Sequence, residues 1–369
     1  MNKTGTIDFA NLKLAYTDHK DEINASIANV LDNANYIMGE PVQVLEEKLQ
    51  KFTGAKYAIS CASGTDALLL ALMAIDIQPE DEVITTPFTF IATAETIAFL
   101  KAKPVFVDIE ETSYNIDPAK IEEKITSRTK AIMPVSIFGQ TADMDAINAI
   151  AEKHNLIVIE DAAQSFGATY KGKRSCNLST FACTSFFPAK PLGCFGDGGA
   201  VFTSDKKFAE KMKSLRLHGQ TERYHHKYIG MGGRMDTIQA AVLNVKMNYY
   251  QVDIENRQRV AETYSELLNE VVVTPTIKPE NTSVWAQYSI RVQHRETIAA
   301  KLKDVGVPTA IHYPKPLHLQ ECFEYLDYGA GDFPIAEKIS DEILSLPMNP
   351  YLKKEEIEYI TSQFKTELL

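Results

Sequence analysis

"TSFFPAKPLGCFGDGGAVFTSD" occupies residues Thr184 to Asp205 and carries one lysine, Lys190, near its start. Phe187-Pro188 and Pro191-Leu192 flank that lysine, and Gly196, Gly198 and Gly199 follow before an apolar run. A lysine is costly to bury and normally sits on a solvated face. Two readings are open: an ordinary surface turn, or an amine set in an apolar pocket. In the second, desolvation lowers the amine's pKa and makes it a usable nucleophile for Schiff-base chemistry. Ser185, five residues earlier, would point toward the same strand ends if the segment is a strand followed by a turn. The glycines would let the chain turn back sharply.

Outward from this stretch, short β-rich runs alternate with helical periodicity. Strand candidates are "YAISCAS", "DEVITTP", "PVFVDI", "KAIMPVSIF", "LIVIEDAA", "CTSFFPA" and "GAVFTSD". Between them lie "GTDALLLALMAI", "FIATAETIAFLKA", "DMDAINAIAEKHN" and "KKFAEKMKSLRL". Near-continuous apolar strands separated by helices predict an α/β fold with a largely parallel sheet covered on both faces. Ligands on such sheets gather at the C-terminal ends of the strands. A long helix is expected over about residues 247–270. A smaller α+β unit should follow, with strands in "VVVTPT", "VWAQYSIRV" and "TAIHYP", a helix around Ile298–Val305, and closing helices near Ile335–Leu346 and Lys354–Leu368. The division falls near residue 250, giving a large domain over 1–250 and a small one over 251–369.

Composition narrows the function class. Hydrophobic residues at 45% and charged residues at 24% of a 369-residue chain fit a globular protein with a substantial core. A net charge of −11 without a basic stripe argues against nucleic acid or an anionic membrane as partner. The N-terminus lacks a signal-like apolar region, and "ALLLALMAI" is too short to span a bilayer. Five scattered cysteines without CxxC spacing read as reduced thiols in a cytoplasmic protein. His218 and His225-His226 lack a second ligand pair at metal spacing, so no metal is expected.

Two further stretches carry candidate chemistry. In "SCASGTDALLLAL", a strand ends near Cys61 and a helix begins at about Gly64. The N–H groups of Ser63, Gly64, Thr65 and Asp66 would then converge on an anion such as phosphate, or the turn is a plain N-cap. In "LIVIEDAAQSFGA", Asp161 ends a buried strand and Gln164 follows three residues later. That carboxylate could hold a proton on a heterocyclic nitrogen through a charge-assisted bond, or cap the next helix. Lysine, carboxylate and phosphate cradle at the ends of one sheet are the equipment that pyridoxal phosphate (PLP) requires.

Several long motifs then occur in a familiar order: "ANYIMGEPVQVLEEKLQKFTGAKYAISCASGTDALLLAL", "IEDAAQSFGA", "SFFPAKPLGCFGDGGA", "HYPKPLH" and "LSLPMNP". Over nearly its whole length the chain resembles the DegT–StrS class of PLP-dependent nucleotide-sugar aminotransferases. The stretches "YKGKRSCNLST", "LHGQTERYHH" and "RMDTIQAA" are most similar to aminotransferases acting on UDP-2-acetamido-2-deoxy-3-oxo-glucuronic acid, which serve bacterial surface polysaccharide (lipopolysaccharide, O-antigen) synthesis.

The resemblance implies an aspartate-aminotransferase-like fold (PLP fold type I). It implies that Lys190 is the Schiff-base lysine, that Asp161 pairs with the pyridine nitrogen and that Gln164 contacts the ring hydroxyl. Gly64, Thr65 and Ser185 would bind the phosphate, and Phe90 would stack on the ring. Arg234, His312 and Tyr313 would meet the sugar nucleotide, with Lys315, Arg223 and His225 as secondary cations. Glutamate as donor, 2-oxoglutarate as product, pyridoxamine phosphate (PMP) as alternate cofactor form and a homodimer with shared active sites are implied too. One departure stands out: where relatives carry an asparagine before this arginine, "GMGGRMDT" has Gly232. Cofactor retention is expected to be weaker than in a relative with asparagine. Other open readings are a dTDP-, UDP- or GDP-linked 3- or 4-keto-6-deoxy sugar as substrate, a PLP-dependent sugar dehydratase, and a regulator on the same fold. The dehydratase relatives put histidine in place of the lysine, and a regulator has no need of Lys190, Asp161 and Gln164 together.

Overall fold

The computed structural model describes residues 7–368. Three helices open the chain: α1 (Leu12–Thr17), α2 (Lys20–Asn33) and α3 (Glu40–Thr53). Strands and helices then alternate as β1 (Tyr57–Cys61), α4 (Gly64–Ala74), β2 (Glu82–Thr85), α5 (Ala92–Phe99), β3 (Lys103–Phe106), β4 (Thr129–Ile132), α6 (Met144–His154) and β5 (Ile157–Asp161). Next come β6 (Phe181–Ser185), β7 (Gly199–Thr203) and α7 (Lys206–Leu215).

The seven strands form one sheet in the order β1-β7-β6-β5-β4-β2-β3. All neighbours from β6 to β3 pair in parallel. β7 runs antiparallel between β1 and β6. The expected mixed, mostly parallel sheet is therefore present. Its strands are buried almost throughout, as two covered faces require. Side chains alternate between the faces. Ile59 and Cys61 of β1 join a core with Leu68 and Leu72 of α4 and Met212 of α7. Ala58 turns the other way, into a core with Leu45 and Leu49 of α3 and Leu243. A buried ion pair ties these layers: Arg216 at the end of α7 reaches Glu46 of α3 at 2.6 Å and the carbonyl of Ser60 at 2.6 Å.

The remaining chain contains α8 (Thr237–Lys246), α9 (Tyr250–Leu268), β8 (Tyr288–Arg291), α10 (Arg295–Asp304), α11 (Pro334–Glu342), β9 (Ile343–Leu346) and α12 (Lys354–Leu368). β8 and β9 pair antiparallel. Tyr264, Tyr288, Leu344, Leu346 and Phe364 meet in one apolar cluster, which Ile7 also joins.

Three expectations for this region are corrected. The helix expected over Ile335–Leu346 stops at Glu342, and Ile343–Leu346 is a strand. Burying a large apolar side chain is worth about 1.5–3 kcal/mol, whereas helix propensities differ by tenths. All four residues of β9 are buried against β8, so packing decides. "VVVTPT" forms no strand; only Val273 bridges to Arg291, Val271 and Val273 are exposed, and Pro275 has no N–H to donate. "TAIHYP" contributes a single bridge, Ala310 to Ser345.

Candidate active site

A cavity of about 520 Å³ opens at the C-terminal ends of β1, β5 and β6. The turn into α4 supplies Ser63, Gly64 and Thr65. The start of α5 supplies Thr89, Phe90 and Ala92, the end of β5 supplies Asp161, Ala163 and Gln164, and the end of β6 supplies Ser185 and Lys190. Gln287, His312 and Tyr313 close it from the C-terminal third of the chain. A wider depression of about 780 Å³ lies elsewhere, around Val271–Val273 and α10. Its cations Arg291 and Lys338 are already paired with Glu342 and Glu111. The smaller cavity is the one at which the strand ends and their polar groups converge.

The turn before α4 has the geometry of an anion cradle. Ser63 Oγ accepts from Asp66 N–H, so among the donors expected here that of Asp66 is taken internally. The first intrahelical bond runs from Ala67 N–H to Ser63 O, leaving the N–H groups of Gly64 and Thr65 ahead of the ladder. Ser185 stands beside them: a Cβ on Gly64 would lie 2.7 Å from Ser185 Cβ and 3.1 Å from its Oγ. On Gly199 a Cβ would fall 2.3 Å from Ser63 O. These glycines are needed for close approach. Gly196, Gly198 and Gly199 do not have positive φ, so the expected sharp glycine turn is made with ordinary backbone. The turn holding Lys190 closes instead through Lys190 N–H to Phe187 O at 2.6 Å.

Asp161 is buried, and its carboxylate is held at both oxygens. Thr93 Oγ1 donates to Oδ2 at 2.8 Å, and the Ala163 N–H donates to Oδ1 at 3.2 Å. Burial raises its pKa, while Thr93, Ala163 and the charge of Lys190 oppose that rise. Glu160, one residue earlier, faces the opposite side of the sheet, where Ser136, Ser175 and the Cys176 N–H satisfy it. Burial lowers the pKa of Lys190, and Asp161 pulls it back up. A lysine with a depressed pKa near a buried carboxylate can act as nucleophile and as proton carrier.

The remaining expected residues divide. Gln164 lines the cavity with its amide already engaged: Oε1 accepts from Phe138 N–H at 2.8 Å and Nε2 donates to Tyr313 Oη at 3.1 Å. Phe90 is half-exposed at the rim, its ring 6.1 Å from that of Tyr313. His312 pairs through Nδ1 with Ser345 Oγ at 2.9 Å, and burial followed by the Lys190 charge lowers its pKa to about 4. Burial pushes the Tyr313 hydroxyl up. Arg234 is not among the lining residues, nor are Lys315, Arg223 and His225, which are exposed. At Gly232 a Cβ would stand 3.1 Å from His218 Cε1, so the imidazole of His218 borders the space beside this glycine.

Two residues of the site escaped the sequence reading, one behind the cavity wall and one in it. Thr93 lies three positions beyond Phe90, and a threonine on the buried side of a helix signals a polar partner. Gln287 sits in "WAQYS", where strand alternation alone marks no function.

Residues 17–365 match the DegT/DnrJ/EryC1/StrS aminotransferase family. The chain belongs to that family. It is 53% identical to the UDP-2-acetamido-2-deoxy-3-oxo-D-glucuronate aminotransferase of Pseudomonas aeruginosa, over 96% of this chain and 98% of that protein. Among solved structures, DesV of S. venezuelae in complex with a ketimine intermediate superposes with a TM-score of 0.96 at 35% identity, covering 98% of each chain. NtdA of Bacillus subtilis with bound cofactor PMP gives 0.93 at 30% identity, over all of this chain and 86% of that one.

Proposed function

We propose that this chain transfers the amino group of glutamate to C3 of UDP-2-acetamido-2-deoxy-3-oxo-glucuronic acid. The protein is a sugar aminotransferase that uses PLP, with PMP as the alternate form. The observation that carries the proposal is the joint placement of Lys190, Asp161 and the Gly64–Thr65–Ser185 cradle in one cavity, in a chain so similar to the Pseudomonas aeruginosa enzyme.

The residues present fit the cofactor. The N–H groups of Gly64 and Thr65 and the Ser185 hydroxyl suit its phosphate, because a helix N-terminus favours an anion. Asp161, oriented by Thr93, suits a protonated ring nitrogen. When bound, the cofactor supplies an electron sink for charge that develops on the donor's α-carbon. Lys190 takes the proton from that α-carbon, and burial, which lowers its pKa, favours the free amine. Asp161 keeps the proton on the ring nitrogen. Gln164 positions Tyr313 over the cavity, and Phe90 covers the rim.

The substrate's pyrophosphate and carboxylate need cations, and Arg234 is assigned to them. It lies outside this chain's cavity, so the assignment requires a homodimer in which a second copy presents it. Exposed apolar residues, Ile229 at 92%, Ile37 at 51% and Leu31 at 51%, favour such an interface. Residues 1–250 are taken as the cofactor-holding domain and 251–369 as the smaller domain, a division the separate cluster around Tyr264 and Tyr288 favours. No helix among the described residues is long and apolar enough to cross a membrane. A cytoplasmic role in surface-polysaccharide synthesis follows from the nucleotide-sugar substrate.

The test is a visible absorbance scan of the purified protein before and after glutamate, then with a panel of keto-sugar nucleotides. The cofactor band should shift with glutamate and return with the 3-oxo uronate. Return with a 4-keto-6-deoxy sugar instead would move the protein to another branch, and no band after PLP is supplied would end the assignment.

A further inference from the structure

Gln287 immediately precedes β8 and faces the catalytic cavity beside His312 and Tyr313. Its Oε1 is buried and has no hydrogen-bond partner among the described residues. The neighbouring polar groups on this wall are engaged. Gln164 spends both ends of its amide on Phe138 and Tyr313, and His312 is held by Ser345. An acceptor stripped of water and left unpaired keeps its full desolvation cost until a donor arrives. Lys190 lines the same cavity as this wall.

The chemistry of the missing donor is constrained. A neutral carboxamide does not select a phosphate or carboxylate, which call for cations. It matches another amide, accepting from its N–H and donating to its carbonyl at two separate atoms, whereas a hydroxyl at the same place must donate and accept through a single oxygen. Phe90, in the same cavity, offers apolar surface for a methyl group. We propose that Gln287 determines acceptor specificity by hydrogen-bonding the acetamido group on the carbon next to the ketone. The proposal rests on the function given above. The purely structural alternative is a bound water: Gln287 also borders a void of about 20 Å³, room for about one water.

Titration calorimetry on the cofactor-loaded protein separates these. The ligands are UDP-N-acetylglucosaminuronate and UDP-glucuronate, which differ only in acetamido against hydroxyl. Wild type should prefer the acetamido ligand by about tenfold, and Gln287→Leu should lose most of that preference by weakening the acetamido ligand alone. Gln287→Met, unbranched and of similar length, serves if the leucine variant folds poorly. A preference that persists in the variants, or is missing from wild type, overturns the role of Gln287 while leaving the aminotransferase reading intact. Binding of neither ligand by wild type overturns both.

Discussion

Thr93 Oγ1 donates to Asp161 Oδ2 at 2.8 Å, and Thr89 Oγ1 lies 2.9 Å from the same Thr93 oxygen. A helix residue thus holds the carboxylate that ends β5. Thr93→Val keeps the shape and removes the bond. Hydrogen bonds to charged groups are worth about 1.5–3 kcal/mol, so turnover should fall by about ten- to a hundredfold. Secondary structure by circular dichroism should stay as in wild type. A loss of less than about twofold would mean that Asp161 needs no such support.

Lys190→Ala removes the only amine that lines the cavity among the described residues. Turnover should fall by at least about a thousandfold, the upper range for a lost nucleophile and general base. The variant should still retain PMP, because the cradle and Asp161 are untouched. Single-turnover assays with added PMP would expose any substantial residual transfer and refute the role.

Gly64→Ala places a methyl group 2.7 Å from Ser185 Cβ. Overpacking of this kind costs about 1–3 kcal/mol, and here the cost is local to the anion cradle. PLP retained through gel filtration should drop at least about tenfold relative to wild type. Equal retention would show that Gly64 and Ser185 are not the phosphate site.

His312 is held neutral: burial, then the Lys190 charge, lowers its pKa from 6.5 to about 4. Between those values the unfolded chain binds a proton that the folded chain does not. Stability is therefore full above about pH 6.5 and is lost as pH falls toward about 4. At about pH 5 the loss from this group is about 2 kcal/mol. His312→Asn should remove that share of the acid destabilisation in urea unfolding. Parallel pH profiles for variant and wild type would argue against a buried neutral imidazole.

The part of the site on residues 57–200 was legible because each group sits where an apolar strand ends: Cys61 before the cradle, Asp161, and Ser185 before Lys190. Strand ends can be read from local pattern. The return of the chain after Lys190 was readable from the glycines, and β6 and β7 do pair antiparallel. What the motif does not reveal is that Gly199 excludes a side chain because Ser63, far away in the chain, lies against it. Thr93 and Gln287 acquire meaning only from partners or from a missing partner, which no window of sequence contains. The same holds for β9, whose buried contacts with β8 override its helical look, and for Arg234, whose distance from this chain's cavity no motif reveals.

The antiparallel strand β7 has a consequence during synthesis. β1 lies at the sheet edge, and its only neighbour is β7. The ribosome makes about 5–20 residues per second, and roughly 140 residues separate Cys61 from Gly199. The nascent segment "YAISC" therefore waits about seven to thirty seconds before its hydrogen-bonding partner exists. During that interval an apolar strand edge is open to other chains, so the yield of this protein depends on how well the growing polypeptide is shielded until residue 203 emerges.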